Sequence, residues 1–118
     1  MRSSTFLKSE RLLNRKEFVN LNRRGRRLQT DHFSISLMKN GQGFTRLGIT
    51  VSKRVGNSVR RNRVKRLIRE YFRLHKAFLP QGCDLVIVAR KNADGLDFWK
   101  MKAELDEPIL DKSFRLLS

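Results

Sequence analysis

The sequence has few of the residues on which several common kinds of protein chemistry depend. Among 118 residues there are one cysteine, two prolines, two histidines and 11 acidic residues. A single cysteine, Cys83, excludes an internal disulfide and a cysteine-cluster zinc site. No apolar run approaches the roughly 20 residues needed to cross a bilayer, and residues 1–10 lack the apolar centre of a signal peptide. We therefore expect a cytoplasmic protein that itself binds no metal or other cofactor.

Positive charge is what the chain has in excess. Its 27 Lys and Arg residues give a net charge of +16, whereas its length of 118 residues predicts a single domain over residues 1–118. A charge of this size indicates a polyanionic partner, with nucleic acid ahead of an anionic membrane surface.

This charge is concentrated in two blocks. Residues 8–27 hold eight basic side chains against two acidic ones, and residues 53–73 hold nine against one. Residues 94–112 have the opposite balance, with six acidic side chains against three basic ones. Two basic blocks beside an acidic segment favour a directional binding surface over a merely solvated run of charge.

Hydrophobic periodicity predicts the first elements of the domain. An N-cap residue and a glycine stop predict a short helix over residues 15–24. Alternating apolar and small polar residues predict strands over 33–38 and 46–52, separated by a turn at 40–43. The polar side of these strands is either a solvent-facing surface or the floor of a groove.

A long amphipathic helix is predicted over residues 59–78, with an apolar stripe on one side and basic residues on the other. The apolar run 84–89 predicts a strand buried on both faces, as in parallel pairing, so that strand, helix and strand form a βαβ unit. A last helix, capped by Asp94 or Asp97, is expected to break or kink at Pro108 and to resume over 109–117.

No set of residues suited to protein catalysis is visible. His75 lies on the apolar stripe of the long helix and is expected to be a core or boundary histidine, and His32 has no evident partner. The acidic residues near the end of the chain form no motif for two-metal catalysis and are expected to be a solvated helix face. A protein-only nuclease would need a carboxylate or histidine set that the sequence does not supply.

The segment 60–70 carries the most information about function. Seven of the nine basic residues in 53–73 are arginines, whose planar guanidinium binds phosphate through two donors and stays charged. The apolar face of this helix is needed to cover a sheet, which disfavours a membrane-surface protein. Phe18 and Phe33 offer stacking surfaces for unpaired bases, although a phenylalanine at either position is more often a core residue.

Residues 53–70, with the sequence KRVGNSVRRNRVKRLIRE, resemble the signature of the bacterial ribonuclease P protein subunit. Arg61-Asn62-Arg63 is the most specific part, and the resemblance extends over about residues 12–92. It implies an α+β fold like the second domain of ribosomal protein S5, a mixed sheet of about four strands with three helices and a left-handed βαβ crossover. The resemblance alone implies this hand, because the usual rule for such crossovers is right-handed.

The resemblance also implies a function. The protein would be an accessory subunit, and a catalytic RNA would use magnesium to hydrolyse the 5′ leader from precursor tRNA. The implied partners are that RNA and precursor tRNA, with no membrane and no further protein required. Another RNA-binding module, such as a ribosomal protein or an RNA chaperone, is the main alternative.

Two sets of candidate contacts follow. Those to the catalytic RNA all lie in the second basic block: Lys53, Arg54, Arg60, Arg61, Asn62, Arg63, Arg66 and Arg73. Those to the leader line the expected cleft between the first helix and the polar sheet face: Phe18, Asn22, Phe33, Ser36, Thr50, Ser52, Lys65 and Arg69. Asn22 and Ser36 stand where the family often has an aromatic residue, so polar contacts are expected there.

Overall fold

The computed structural model describes residues 26–79 and 81–110, and the predicted helix over 15–24 lies outside them. Four strands are present in the described residues: β1 (Arg26–Gln29), β2 (Phe33–Lys39), β3 (Arg46–Val51) and β4 (Cys83–Ala89). The two main helices there are α1 (Ser58–His75) and α2 (Phe98–Ile109). Short 3-10 turns at Lys53–Val55 and Lys76–Phe78 flank α1, and a third precedes α2 at Ala93–Gly95.

The strands form one mixed sheet in the order β1-β2-β4-β3. The interior strand β4 pairs antiparallel with β2 and parallel with β3. Because α1 connects β3 to β4, the predicted βαβ unit is confirmed. Six of the seven residues of β4 are buried, as its continuous apolar sequence predicts for a strand covered on both faces.

Both helices pack against the same face of the sheet. Their apolar stripes meet the apolar side of every strand in one cluster, whose largest fully buried members are Phe33, Ile35, Leu37, Leu47, Ile68, Tyr71, Phe72, Leu85, Ile87, Met101 and Leu105. The sheet is therefore the platform on which α1 is fixed, and burial of one side of α1 leaves its basic side outward.

Two predictions about the elements need correction. β1 was not predicted, because its sequence Arg-Arg-Leu-Gln has too few apolar residues to show an alternation. The helix α2 does not break at Pro108 but continues through it to Ile109. Pro108 lies in the last turn, so only one helical residue follows the backbone hydrogen bond that it cannot donate, and it is buried with Ile109. Residues 111–117, where the helix was expected to resume, lie outside the described residues.

The last helix is tied to the loop before β2 by Glu104. Its carboxylate accepts a hydrogen bond from the Thr30 hydroxyl and another, of 2.7 Å, from the backbone N–H of His32. It also pairs with Nδ1 of the His32 ring at 2.7 Å. Burial alone would raise the pKa of Glu104, but these hydrogen bonds outweigh burial and hold the pKa below its ordinary value. His32 therefore has a carboxylate partner, which the sequence did not reveal because the two residues are 72 positions apart.

We expect Glu104→Gln to lower the free energy of unfolding by about 1–3 kcal/mol at pH 7, because an amide cannot accept all of these bonds. Since the folded-state pKa is depressed, the contribution is present above the ordinary carboxyl pKa and is lost as the pH falls below it. The difference between wild type and variant, measured by urea unfolding, should therefore shrink on acidification. Glu107→Gln, an exposed change on the same helix, is the control; equal effects of the two changes would contradict this role of Glu104.

Candidate RNA interface

The helix α1 begins at a tightly specified turn. Gly56 has a φ of +149°, and a Cβ at this position would lie 2.8 Å from Cδ of Arg60, so glycine is required there. Asn57 then caps the helix, its Oδ1 accepting a hydrogen bond of 3.0 Å from the backbone N–H of Arg60. This turn joins Lys53 and Arg54 of the preceding 3-10 turn directly to the start of α1.

Several cationic side chains are presented outward. Exposed side chains in the second basic block include Lys53, Arg54, Asn62, Arg66 and Arg69. In α1 they lie opposite the stripe formed by Val64, Ile68, Tyr71, Phe72 and His75, which is buried. Since the buried stripe fixes the rotation of the helix, the outward stripe is a preorganised, predominantly cationic surface, which is what a phosphate backbone requires.

Arg61 and Lys65 lie on one flank of this outward stripe and are half-buried. The Nε atom of Arg61 is buried and has no hydrogen-bond partner among the residues that the structure describes. A buried donor without a partner is costly and often marks a functional site. This flank is therefore equipped to gain a hydrogen bond when a ligand binds.

The opposite flank of α1 is held by the protein itself. Nη1 of Arg63 donates to the carbonyl oxygens of Asp94 at 3.0 Å and Leu96 at 3.3 Å. Nη1 of Arg60 lies 3.6 Å from the Asp94 carboxylate. These contacts attach the turn before α2 to α1, so Arg60 and Arg63 have a structural role that the motif alone did not indicate.

Arg73 is also paired within the protein. Its guanidinium makes a bidentate contact with Glu70, with Nε–Oε1 at 2.8 Å and Nη2–Oε2 at 2.7 Å. The hydrogen bond from Arg73 is the main reason that the pKa of Glu70 is lowered. Arg73 thus presents a locally neutralised pair, unlike Arg66 and Arg69 on the same stripe.

The face of the sheet opposite the helices carries the small polar side chains. The register places Ser36 of β2 opposite Arg27 of β1, and Thr50 of β3 level with Val88 and Ser34. Thr50 is exposed and Ser52, just past the end of β3, is half-buried. These two residues lie where β3 leads into the turn before α1.

Two of the candidate leader residues are not available for contact. Phe33 is fully buried in the helix-covered core, so its predicted role as a stacking surface is wrong; as the first residue of β2 it points away from the polar face. Ser36 does lie on the polar face but is only 2% exposed, so its hydroxyl is inaccessible to a leader. Phe18 and Asn22 lie outside the described residues.

His75 and Asp106 serve the fold. His75 is buried and its Nδ1 lies 2.8 Å from the carbonyl of Tyr71, which confirms a core or boundary histidine. Asp106 accepts a hydrogen bond of 2.7 Å from the Tyr71 hydroxyl, and burial, with this bond, raises the pKa of Tyr71. The expectation that all acidic residues of α2 form a solvated face is therefore wrong for Glu104 and Asp106.

No group of three or more histidine, cysteine or acidic residues suited to a metal ion occurs within 26–79 and 81–110. Over the same ranges, none of the helices is long and apolar enough to span a bilayer.

Comparison with known proteins decides the family. A family model described as ribonuclease P matches residues 6–112. The chain belongs to the family of bacterial ribonuclease P protein components. A ribonuclease P protein component from Geobacter sp. strain M21 is 49% identical over 106 residues, covering 89% of this chain and 90% of that one. One from Desulforapulum autotrophicum is 46% identical over 105 residues, with coverages of 89% and 90%.

The architecture agrees with that of solved ribonuclease P proteins. The ribonuclease P protein from Thermotoga maritima superposes with a TM-score of 0.78 at 36% identity, covering 86% of this chain and 96% of that one. The family match reaches beyond residues 12–92, to which the sequence resemblance was assigned, and includes α2. The α+β fold, with a mixed four-strand sheet and two main helices, is thus that of ribonuclease P proteins.

Proposed function

We propose that this protein is the RNA-binding subunit of ribonuclease P and assists a catalytic RNA in removing the 5′ leader from precursor tRNA. The observation that carries the proposal is the outward stripe of α1, where Asn62, Arg66 and Arg69 are exposed in a fixed cationic surface; Arg61 and Arg63 of the motif lie on its two flanks. The RNA is the catalyst and uses magnesium, and the protein is a single RNA-binding domain that acts in the cytoplasm without a cofactor of its own or a further protein partner.

Contacts to the catalytic RNA are assigned to side chains of the second basic block that have no partner among the residues that the structure describes. These are Lys53, Arg54, Asn62 and Arg66, which are exposed, and Arg61, which has a buried donor to satisfy. Arg60, Arg63 and Arg73 support this surface from its margins, because each is engaged with an acidic residue or a carbonyl. Arginine guanidinium groups suit this task because they bind phosphate through two parallel donors.

Contacts to the single-stranded leader are assigned to Thr50 and Arg69, which are exposed, and to Ser52 and Lys65, which are half-buried. Phe18 and Asn22 complete this set as the family resemblance implies. The same resemblance supports a third helix, a left-handed crossover from β3 through α1 to β4, and the likeness to ribosomal protein S5. Leader contacts give the subunit a means of distinguishing precursor tRNA from mature tRNA.

A basic accessory subunit has a clear physical task in this reaction. Bringing a tRNA precursor to an RNA catalyst joins two polyanions, and a cationic protein that touches both lowers their repulsion. Binding then releases counterions, so affinity should fall steeply with salt, by a log–log slope of about 0.7 for each single-strand phosphate contacted.

The proposal predicts that the protein makes the holoenzyme prefer precursor tRNA over mature tRNA. Equilibrium affinities for the two tRNAs should be measured for the catalytic RNA with and without this protein. We expect the preference for the precursor to rise by about tenfold or more when the protein is present, as one or two charge-assisted contacts would provide. An unchanged preference would contradict leader binding.

A further inference from the structure

The polar face of the sheet carries a cation on its outer strand that sequence reasoning did not single out as a contact. Arg27 lies on β1, which is an edge strand paired only with β2 within the described sheet. The side chain of Arg27 is exposed, and its Nε donates to Oγ of Ser34 at 3.3 Å. Ser34, on the neighbouring strand, is itself buried. The guanidinium is therefore held against the polar face rather than extended into solvent.

The hydrogen bond to Ser34 uses only one of the five donors of this guanidinium. No partner occurs in the described part of the chain for its two terminal amino groups. Gln29, two residues along the same strand and on the same face, is also exposed. Arg27 and Gln29 thus form a small edge patch that offers a planar cation and an amide side by side.

The guanidinium of this edge patch suits a ligand that carries both phosphate groups and unpaired bases. A guanidinium anchored at Nε presents its remaining donors as a fork that fits a phosphate, and its plane can stack on an unpaired base. Apart from small polar residues, the strands place on this face the apolar Met38, Val86 and Val88 and the ion pair of Arg46 with Asp84. Arg27 is therefore the cation on the described part of this face that is not paired with a carboxylate. Single-stranded RNA is the ligand that combines a negative backbone with exposed bases.

The edge patch is also in line with the proposed leader contacts. Thr50 on β3 is level, through Val88 and Ser34, with Gln29 on β1, so the edge patch and Thr50 lie on the same face three strand spacings apart, or about 14 Å. We propose that Arg27, with Gln29 beside it, binds the part of the 5′ leader furthest from the cleavage site, after the leader has passed Lys65 and Thr50. This inference rests on the proposed leader binding and extends it to the outer edge of the sheet.

The test is the dependence of binding on leader length. Precursor tRNAs with leaders shortened stepwise from the 5′ end should be bound to holoenzymes containing wild type, Arg27→Ala or Arg27→Lys. We expect Arg27→Ala to weaken binding of the long-leader precursor by about tenfold and to have no effect once the leader is too short to reach β1. Arg27→Lys, which keeps the charge but not the fork, should retain part of the affinity.

Lys100→Ala provides the matched control, since it removes one exposed positive charge from α2, on the other side of the sheet. It should change the affinity less than twofold for every leader. An effect of Arg27→Ala that equals that of Lys100→Ala, or that persists with the shortest leader, would overturn the assignment. Failure of leader binding as a whole would show itself differently, because wild type would then not prefer precursor to mature tRNA.

Discussion

Replacing Asp84 by asparagine should destabilise the protein more than any other single change considered for the described residues. Asp84 is 4% exposed, on β4, and makes a bidentate contact with Arg46 of β3, with both N–O distances at 2.8 Å. It also accepts a hydrogen bond of 2.9 Å from Asn40. The change would leave the Arg46 guanidinium without its carboxylate in a largely buried position.

Breaking one side of a buried ion pair costs about 3–5 kcal/mol, a large part of the roughly 5–15 kcal/mol that stabilises a domain. The melting temperature of Asp84→Asn should therefore fall by more than about 10 °C, which calorimetry or circular dichroism would measure. Glu70→Gln is the matched control, because Glu70 makes the same bidentate contact with Arg73 at the surface. Exposed pairs contribute about 0–1 kcal/mol, so comparable losses for the two variants would show that burial of Asp84 is not what matters.

The largest functional loss is expected from removing two cations of the RNA surface, in the double variant Arg54→Ala/Arg66→Ala. Both side chains are exposed, one in the turn before α1 and one on its outward stripe. No protein partner is found for either guanidinium within the described residues. Their removal should therefore affect RNA binding without affecting the core, and the melting temperature should stay within a few degrees of wild type.

For the catalytic RNA, we expect the double variant to bind about 10- to 100-fold more weakly at moderate salt. The log–log dependence of affinity on salt should become shallower by roughly 1.4–2, because two phosphate contacts are lost. The double variant Lys91→Ala/Lys100→Ala removes two exposed charges elsewhere and should leave both quantities almost unchanged. If it weakened binding equally, net charge rather than the α1 surface would account for the affinity.

Local pattern in the sequence was sufficient for the long helix and the buried strand. An apolar stripe at helical spacing predicts a helix with one side buried, and a continuous apolar run predicts a buried strand. The helix α1 and the strand β4 are both present where these patterns predict them. Charge density and the Arg61-Asn62-Arg63 order were sufficient to indicate RNA and the family. These features are local, so neighbouring residues carry enough information to predict them.

Contacts between distant segments were not predictable in the same way. The pairing of His32 with Glu104 and the attachment of Arg63 to the carbonyl of Asp94 join residues that are 72 and 31 positions apart. The role of Phe33 was missed for a different reason. Its alternation with Ser34 and Ser36 already puts it on the apolar face with Ile35 and Leu37, which the helices bury, and the family resemblance alone suggested a contact with the leader.

The central claim is that this protein enables an RNA catalyst to process precursor tRNA, and reconstitution tests it most directly. Cleavage of a precursor tRNA by ribonuclease P RNA should be measured at a magnesium concentration at which the RNA alone is inactive. Adding the wild-type protein should restore formation of the mature 5′ end, and Arg54→Ala/Arg66→Ala at the same concentration should not. No gain in cleavage on adding the wild-type protein, or cleavage by the purified protein in the absence of any RNA subunit, would contradict the account.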